Sequence, residues 1–379
     1  MTKLRKMALA MGVAAFALQG AAVAEETYKI GISAGKTGYV ATIDNAWVLG
    51  AELAADELNK SDGIMGKTVV VLSEDNKSEP QEAVKIYQKM INSDRVDIFA
   101  SGCVSAGNLA AAGLLVRSKI PLVSCSILPK KEEERHWAFT TLPPPRFEVE
   151  TRLAYLKANP EYKTFGVIFD PSPYAKLQTN IAENIAADFG LEFVGSEQYD
   201  QKDADLSVQI GKLNAAGADA ILKMGVGGTT LTAANNIKQL GLDILLLTSL
   251  EDLAVFGPAS NILGDNFMFV AAASQIPSAL DDGGLKDAID TFLVPWQAAE
   301  GDRDPNWAGR GWDAVMMINQ AVTDAGSTDG PAVRDALEAM QEFQGTTGTY
   351  SHSPDVHQGL TENPLFLARI RDGKPEIVQ

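Results

Sequence analysis

The feature that most constrains the fold is a regular alternation of strand-like apolar runs with amphipathic helical segments. In the first half of the chain, predicted strands lie at 28–33, 67–72, 96–100 and 121–124, with predicted helices at 41–59, 80–92 and 105–118. Alternation of this kind indicates βαβ units. Strands that are apolar almost throughout are typical of parallel sheets covered on both faces. The sequence therefore predicts an α/β fold.

Three consecutive prolines at 143–145 separate this series from a second one. Such a run fits neither a helix interior nor a central strand, so it indicates a stiff connection between two lobes. The strands of the second series are predicted at 164–170, 192–198, 218–224, 244–248 and 267–271. A chain of 379 residues is also longer than one ordinary domain.

The last hundred residues are mainly helical and end in a short predicted strand at 364–371. The first series has only four good strands, fewer than an open sheet usually has, so we expect the late helices to return and cover it. The prediction is two interleaved lobes, each an open, mostly parallel sheet flanked by helices. Lobe 1 comprises residues 25–142 and 274–344, and lobe 2 comprises 143–273 and 345–379.

The first 24 residues have the pattern of a secretory signal peptide. A basic start precedes an apolar run at 7–18, and small residues lead to a predicted cleavage site after Ala24. No cysteine lies near that site, which favours a soluble exported protein in the periplasm. The net charge of −17 argues against nucleic acid or an anionic membrane surface as the main partner.

The chain has few of the side chains that usually bind a metal ion or a cofactor. It has two cysteines and three histidines, and His352 and His357 are five residues apart in a polar loop, where we expect them to be solvated. We therefore predict no metal site and no cofactor. Cys103 and Cys125 each end a predicted strand. If those strands are neighbours, about 4.8 Å apart, the two cysteines can form a disulfide in an oxidising compartment. The alternative is that both are small buried apolar residues with free thiols.

A catalytic alternative rests on the pattern G-x-S-x-G at 31–35, which follows a strand as a nucleophile elbow does. A serine hydrolase using Ser33 would need a histidine partner, and His136, His352 and His357 are the only candidates. A turn of small residues between a strand and a helix explains the pattern equally well. We therefore expect a protein without catalytic residues and keep the exported serine hydrolase as an alternative.

The strongest site signal is a set of polar residues at the ends of predicted strands. Serines follow the third and fourth strands, at 101–107 and 124–126, where the chain passes into a helix. In open α/β sheets, ligands bind at this edge. Helix N-termini offer unpaired backbone N–H groups, and serine hydroxyls add donors, so the site suits a carboxylate. In the second series, Tyr174 and Glu251 also follow strands.

An ordered set of short motifs runs from about residue 27 to the C-terminus. It includes Y-K-I-G-I at 28–32, G-A-E-L-A at 50–54, I-P-L-V-S at 120–124 and V-I-F-D at 167–170. In order and spacing the chain resembles the periplasmic solute-binding proteins of branched-chain amino-acid ABC importers, the leucine/isoleucine/valine-binding family. The resemblance implies a type I two-lobed fold with a hinge of three chain crossings. It also implies a small-molecule ligand enclosed between the lobes, a membrane permease as partner and a monomer.

The resemblance also implies a set of ligand-binding residues. Family residues that bind the ligand carboxylate match Ser105, Ser126 and Leu128, a tyrosine that packs on the ligand matches Tyr174, and an acid that takes the ligand ammonium falls near Glu251. The pocket departs from a leucine site, because Ile43 stands where leucine-type proteins have a tryptophan. The remaining candidate contacts are Tyr39, Val226, Gly227 and Arg146, the last beside the predicted hinge, where it could pair with an acid that lacks an amine.

Two ligand classes remain open, an apolar α-amino acid such as a branched-chain one, and an aromatic or other hydrophobic carboxylate. A Glu251 that faces the ligand favours the first class, because an unpaired buried carboxylate is costly. A Glu251 turned to solvent favours the second. We predict the solute-binding component of an ABC importer that captures such a ligand by lobe closure. A ligand sensor that docks to a membrane receptor is a further alternative.

Overall fold

The structure is a computed structural model that describes residues 26–378. The predicted signal peptide and its cleavage after Ala24 lie outside the described residues. Within the described range, no helix is both long and apolar enough to cross a membrane.

Two large sheets organise the chain. The strands are β1 (Thr27–Ala34), β2 (Thr68–Asp75), β3 (Ile98–Ser101), β4 (Leu122–Ser124), β5 (Ala138–Thr140), β6 (Thr164–Phe169), β7 (Glu192–Gln198), β8 (Ala220–Met224), β9 (Leu245–Thr248), β10 (Phe267–Ala271), β11 (Phe343–Gln344), β12 (Thr349–Tyr350), β13 (Phe366–Arg371) and β14 (Lys374–Ile377).

Helices cover both faces of the sheets. They are α1 (Ala41–Asn59), α2 (Pro80–Lys89), α3 (Ser105–Ser118), α4 (Glu132–Arg135), α5 (Pro145–Ala158), α6 (Pro173–Ile185), α7 (Ser207–Ala215), α8 (Thr229–Gln239), α9 (Leu253–Leu263), α10 (Gly284–Glu300), α11 (Asn306–Ala325) and α12 (Gly330–Ala339).

The first sheet is parallel throughout, in the order β2-β1-β3-β4-β5. The sequence predicts only the first four of these strands. β5 has three residues, too few for its apolar character to stand out from the surrounding loop. The central strands β3 and β4 are buried along their whole length, which agrees with a sheet covered on both faces.

The second sheet has the order β14-β13-β10-β9-β8-β6-β7. Strands β6 to β10 pair in parallel, whereas β13 and β14 are antiparallel and form one edge of the sheet. The C-terminal strands therefore complete the sheet of the second lobe. The chain passes between the two sheets three times, before α5, after β10 and before β13. The α/β fold with two lobes expected from the sequence is confirmed.

After the chain has returned to the first lobe, helix α11 packs closely against α1. Two glycines permit this approach. A Cβ atom at Gly50 would lie 1.9 Å from the backbone oxygen of Ala308, and one at Gly311 would lie 2.1 Å from that of Trp47. The crossing brings the start of α11 to the space between the lobes. The residue boundaries assigned to the lobes from the sequence stay a prediction.

Candidate functional site

A narrow cavity of about 40 Å³, here called the cleft cavity, lies between the two lobes. Its wall is mainly apolar and aromatic, and both lobes contribute to it. The residues that line it are Tyr39, Val40, Ile43, Cys103, Ser105, Cys125, Leu142, Ser172, Tyr174, Val226 and Trp307. The structure thus brings together five of the predicted contacts, Tyr39, Ile43, Ser105, Tyr174 and Val226.

The polar end of the first lobe's wall is the start of α3. Ser105 is the first residue of this helix and is almost fully buried. The loop before it is held by Asp44, whose carboxylate accepts hydrogen bonds from the backbone N–H groups of Gly35 (2.6 Å) and Cys103 (2.7 Å). Gly102 is needed here because its Cβ would lie 2.5 Å from that carboxylate. Burial raises the pKa of Asp44 to about 6.

A disulfide joins Cys103 and Cys125, and both residues face the cleft cavity. Their Cα atoms are 4.5 Å apart because β3 and β4 are adjacent parallel strands that both end at this edge. The bridge fixes the loop that precedes Ser105 to the end of β4. The disulfide therefore links the two loops that form the cavity wall beside the N-terminus of α3.

The second lobe contributes an anchored aromatic ring. The hydroxyl of Tyr174, at the start of α6, donates a hydrogen bond to the Glu148 carboxylate and accepts one of 3.1 Å from Gln178 Nε2. Burial and the neighbouring Glu148 raise the pKa of Tyr174 well above its usual value, so the phenol is neutral. With its hydroxyl engaged, Tyr174 offers a fixed ring to whatever occupies the cavity.

The turn after β8 touches the first lobe. A Cβ at Gly227, whose φ is +97°, would lie 3.1 Å from the backbone oxygen of Tyr39, so the two lobes are in contact here. The Gly227 N–H donates a 2.5 Å hydrogen bond to Glu251. Gly227 thus borders the site through its backbone and shapes it beside Val226, without lining the cavity itself.

Glu251 is buried but does not face the cleft cavity. Its two carboxylate oxygens accept hydrogen bonds from the backbone N–H groups of Gly227 and Asp252. Burial raises its pKa to about 7, against the opposing effects of the Gly227 N–H and the Lys223 ammonium. Neither orientation considered from the sequence is found, since the carboxylate is turned neither to a ligand nor to solvent.

Three further predicted contacts lie away from the cavity. The Ser126 hydroxyl is buried among Ser124 Oγ (2.9 Å) and Asn108 Nδ2 (3.1 Å), and Leu128 lies in a separate, closely packed region beside Leu115 and Leu122. Arg146 is half-exposed on α5 and pairs with Glu150 at 2.6 Å. It points along its own helix because a glutamate one turn later takes its charge.

The structure does not assemble a catalytic triad around Ser33. The Ser33 hydroxyl is buried and accepts a 3.0 Å hydrogen bond from Asn76 Nδ2. The expectation that His352 and His357 are solvated is wrong, because both are buried against the ring of Phe139. Their Nδ1 atoms bond to backbone carbonyl groups, and burial lowers the pKa of His352 to about 4.

The third histidine, His136, is half-exposed and lies 3.3 Å from the Glu338 carboxylate. Within residues 26–378, each of the three histidines therefore has its partners away from Ser33. The same part of the chain contains no group of three or more His, Cys, Asp or Glu side chains placed to hold a metal ion.

Sequence reasoning missed Trp307, Leu142 and Ser172 as cavity residues. Ser172 could have been found, since it caps α6 by accepting a hydrogen bond from the Ala175 N–H, directly before Tyr174. Trp307 has no such local signal. It reaches the cavity only because α11 crosses back onto α1.

Two α/β lobes that enclose an apolar cavity, with a helix N-terminus and an anchored tyrosine facing it, define the class of two-lobed solute-binding proteins. The family model described as "Periplasmic binding protein" matches residues 27–375. The chain belongs to this family, which implies an extracytoplasmic location.

Individual relatives agree with this membership. The Leu/Ile/Val-binding protein homolog 3 of Brucella melitensis is 26% identical over 91% of this chain and 92% of its own length. Among solved structures, LivJ of Streptococcus pneumoniae, a branched-chain amino acid transporter substrate binding protein in complex with isoleucine, has a TM-score of 0.78 at 22% identity. It covers 93% of this chain and 98% of that one.

A second solved structure is a solute binding protein of an ABC transporter from Rhodopseudomonas palustris BisB5, in complex with 3,4-dihydroxy benzoic acid. Its TM-score is 0.78 at 18% identity, covering 93% of this chain and 96% of that one. At these identities the two structures show the shared fold. The relatives are solute-binding proteins, and a solute-binding role for this chain follows from its family.

Proposed function

We propose that this chain is the extracytoplasmic solute-binding component of an ABC importer and that it captures a small hydrophobic carboxylate between its lobes. The observation that carries the proposal is the cleft cavity itself, which is apolar and aromatic over most of its wall and polar at the start of α3. Closure of the lobes excludes water and selects the liganded form, which is then presented to a membrane permease.

The ligand carboxylate binds at the N-terminus of α3. The N-terminus of a helix carries partial positive charge and favours an anion, although in α3 the N–H groups of Ser105 and Gly107 already donate to the backbone oxygens of Cys103 and Val104. Ser105 adds a hydroxyl at the same point. Ser126 and Leu128 do not take part, because their side chains lie behind the wall.

The rest of the ligand is an apolar or aromatic group without an ammonium. Glu251, the residue expected to receive an ammonium, has both oxygens engaged by backbone N–H groups. Among the cavity-lining residues of the described chain there is no carboxylate. An ammonium in this cavity would be desolvated without a charged partner, which is costly. The dihydroxybenzoic acid of the Rhodopseudomonas protein shows that the fold accepts ligands of this class.

An apolar amino acid, as bound by the Streptococcus protein, is the second candidate. One observation favours it. Asp170, at the end of β6, is buried, and its Oδ2 atom has no hydrogen-bond partner among residues 26–378. Its Oδ1 atom accepts a 2.8 Å hydrogen bond from the N–H of Ser172, which lines the cavity. The buried ammonium of Lys223 already offsets the charge of Asp170, so we rank this candidate second.

Titration calorimetry with matched ligand pairs tests the proposal. Each pair differs only in the amine, as leucine and 4-methylpentanoate or phenylalanine and 3-phenylpropanoate do. We expect the acid without the amine to bind tighter by about tenfold or more. We also expect Glu251→Gln to leave the affinity for that acid within about threefold of wild type.

Tighter binding of both amino acids would refute the proposed ligand class while leaving the solute-binding role in place. Failure of all four compounds, and of benzoate, to bind would refute the proposed function. A binding protein for import also predicts loss of uptake of the ligand when the gene is deleted. Unchanged uptake together with a lost response to the ligand would instead indicate a sensor for a membrane receptor.

A further inference from the structure

The first turn of α11 contains a cluster of buried hydrogen-bond donors. Asn306 Nδ2, Trp307 Nε1 and both terminal nitrogens of Arg310 are buried, and none has a hydrogen-bond partner among residues 26–378. Arg310 has no exposed surface at all. Buried donors are almost always paired, whereas the Arg310 guanidinium has one side-chain hydrogen bond among the described residues, from its Nε to Asn306 Oδ1 at 3.2 Å, and a buried charge with open donor positions is costly. Four such atoms in one turn of helix therefore point to an acceptor that the protein itself does not provide.

This donor cluster, defined by Asn306, Trp307 and Arg310, adjoins the cleft cavity. Trp307 lines the cavity, and the Arg310 guanidinium lies 4.8 Å from the centre of the Trp307 ring. The Arg310 charge also acts on Tyr174, which lines the cavity from the opposite lobe. The cluster thus lies at the junction of the two lobes, behind one aromatic wall residue and within electrostatic reach of another.

The acidic and phenolic groups that face Arg310 are all engaged elsewhere. Glu148 accepts hydrogen bonds from the Tyr174 hydroxyl and the Leu250 N–H, and Asp313 accepts from the N–H and hydroxyl of Thr346. The Tyr350 hydroxyl donates to the backbone oxygen of Thr141. These groups offset the Arg310 charge without filling its donor positions.

Resting on the proposed function, we propose that Arg310 and Trp307 form a second polar subsite, which binds an oxygen acceptor that the ligand carries in addition to the carboxylate held at α3. A guanidinium has only donors, in a rigid planar arrangement, and an indole N–H is also only a donor. The subsite therefore selects a hydroxyl or acidic oxygen and rejects an ammonium. The substrate class becomes a hydroxylated or doubly acidic aromatic or apolar carboxylate.

The role expected of Arg146 from the sequence, a cation beside the hinge that pairs with an acidic ligand, is here proposed for Arg310. Both are arginines near the passage between the lobes, but Arg146 is half-exposed and paired with Glu150. Arg146→Gln is therefore the matched control, since it removes the same charge without touching the donor cluster. Trp307→Phe is a milder probe, because it keeps an aromatic ring at the cavity wall and removes one donor.

The test measures the affinities of benzoate, 3-hydroxybenzoate, 4-hydroxybenzoate and isophthalate by titration calorimetry. We expect at least one of the three compounds with a second oxygen function to bind the wild type about tenfold tighter than benzoate. Arg310→Met removes this preference, and Trp307→Phe reduces it. Arg146→Gln leaves every affinity unchanged. Circular dichroism melting of each variant identifies any loss of fold, in which case the Trp307→Phe series decides.

A wild type that binds benzoate as tightly as the other three acids would overturn the subsite and leave the proposed function standing. A preference that survives both Arg310→Met and Trp307→Phe would do the same, and would indicate that ordered water fills the donor positions. A wild type that binds none of the four acids would overturn the subsite together with the proposed ligand class.

Discussion

Reduction of the disulfide between Cys103 and Cys125 should destabilise the first lobe and weaken the site. The two cysteines are 22 residues apart in the chain. Loop-closure entropy for a loop of this length gives about 3 kcal/mol of stabilisation through the unfolded chain. For a lobe of 150–250 residues this corresponds to a decrease of about 6–12 °C in the melting temperature. Affinity should fall as well, because Ser105 lies two residues beyond Cys103, in the loop that the bridge fixes.

The measurement is a calorimetric melt with and without reductant, with mass spectrometry to confirm a gain of two hydrogens. The Cys103→Ala/Cys125→Ala double variant is the control, because these are the only cysteines of the chain and its melt should not respond to reductant. Equal melting temperatures of the oxidised and reduced wild type would refute the entropic reasoning. Equal affinities would show that Asp44 alone, through its bond to the Cys103 N–H, holds the loop.

Two other substitutions test the packing and the buried charge. Gly311→Ala should lower the free energy of unfolding in urea by roughly 1–3 kcal/mol, because its Cβ meets the Trp47 backbone oxygen. The control is Gly211→Ala, whose Cβ has nothing within 4 Å and which should be neutral or stabilising. Equal stability of the two variants would contradict the close helix crossing. Glu251, whose pKa is raised from 4.5 to about 7, should make stability fall as pH rises from about 4.5 to about 7. In Glu251→Gln, the free energy of unfolding should decline over this pH range by on the order of 1–3 kcal/mol less than in the wild type. An unchanged decline would contradict a raised pKa at Glu251.

The parts of the fold that the sequence predicts are those set by local patterns. The start of α3 at Ser105 follows from an apolar strand that ends in small polar residues, and the parallel sheets follow from runs that are apolar on both faces. Local pattern fails where tertiary contacts decide. His352 and His357 lie in a polar segment, yet they are buried because that segment folds over Phe139 of β5, a strand too short to be recognised.

The candidate site divides in the same way. Tyr39, Ser105 and Tyr174 each follow a strand that reaches the cavity edge, so their order along the chain predicts their position. Arg146 lies beside the connection between the lobes, as the sequence indicates, but its side chain pairs with Glu150 one turn later and not with the cavity. Arg310 lies more than 150 residues further along. Only the crossing of α11 over α1, which two glycines permit, brings it to the site.

The distribution of charge at the site determines how it can bind and release a ligand. Among the residues lining the cleft cavity in the described chain, none is charged, while Glu148 and Glu251 lie buried behind the wall and accept backbone N–H groups from neighbouring loops. These carboxylates fix the wall before the ligand arrives, so little ordering remains to be done on binding. An aromatic acid that buries about 150 Å² of apolar surface gains about 4 kcal/mol, which alone corresponds to millimolar affinity. For the proposed ligand, micromolar affinity requires oriented donors at both ends, the N-terminus of α3 and Arg310, and we expect opening of the lobes, which rehydrates both ends, to release it.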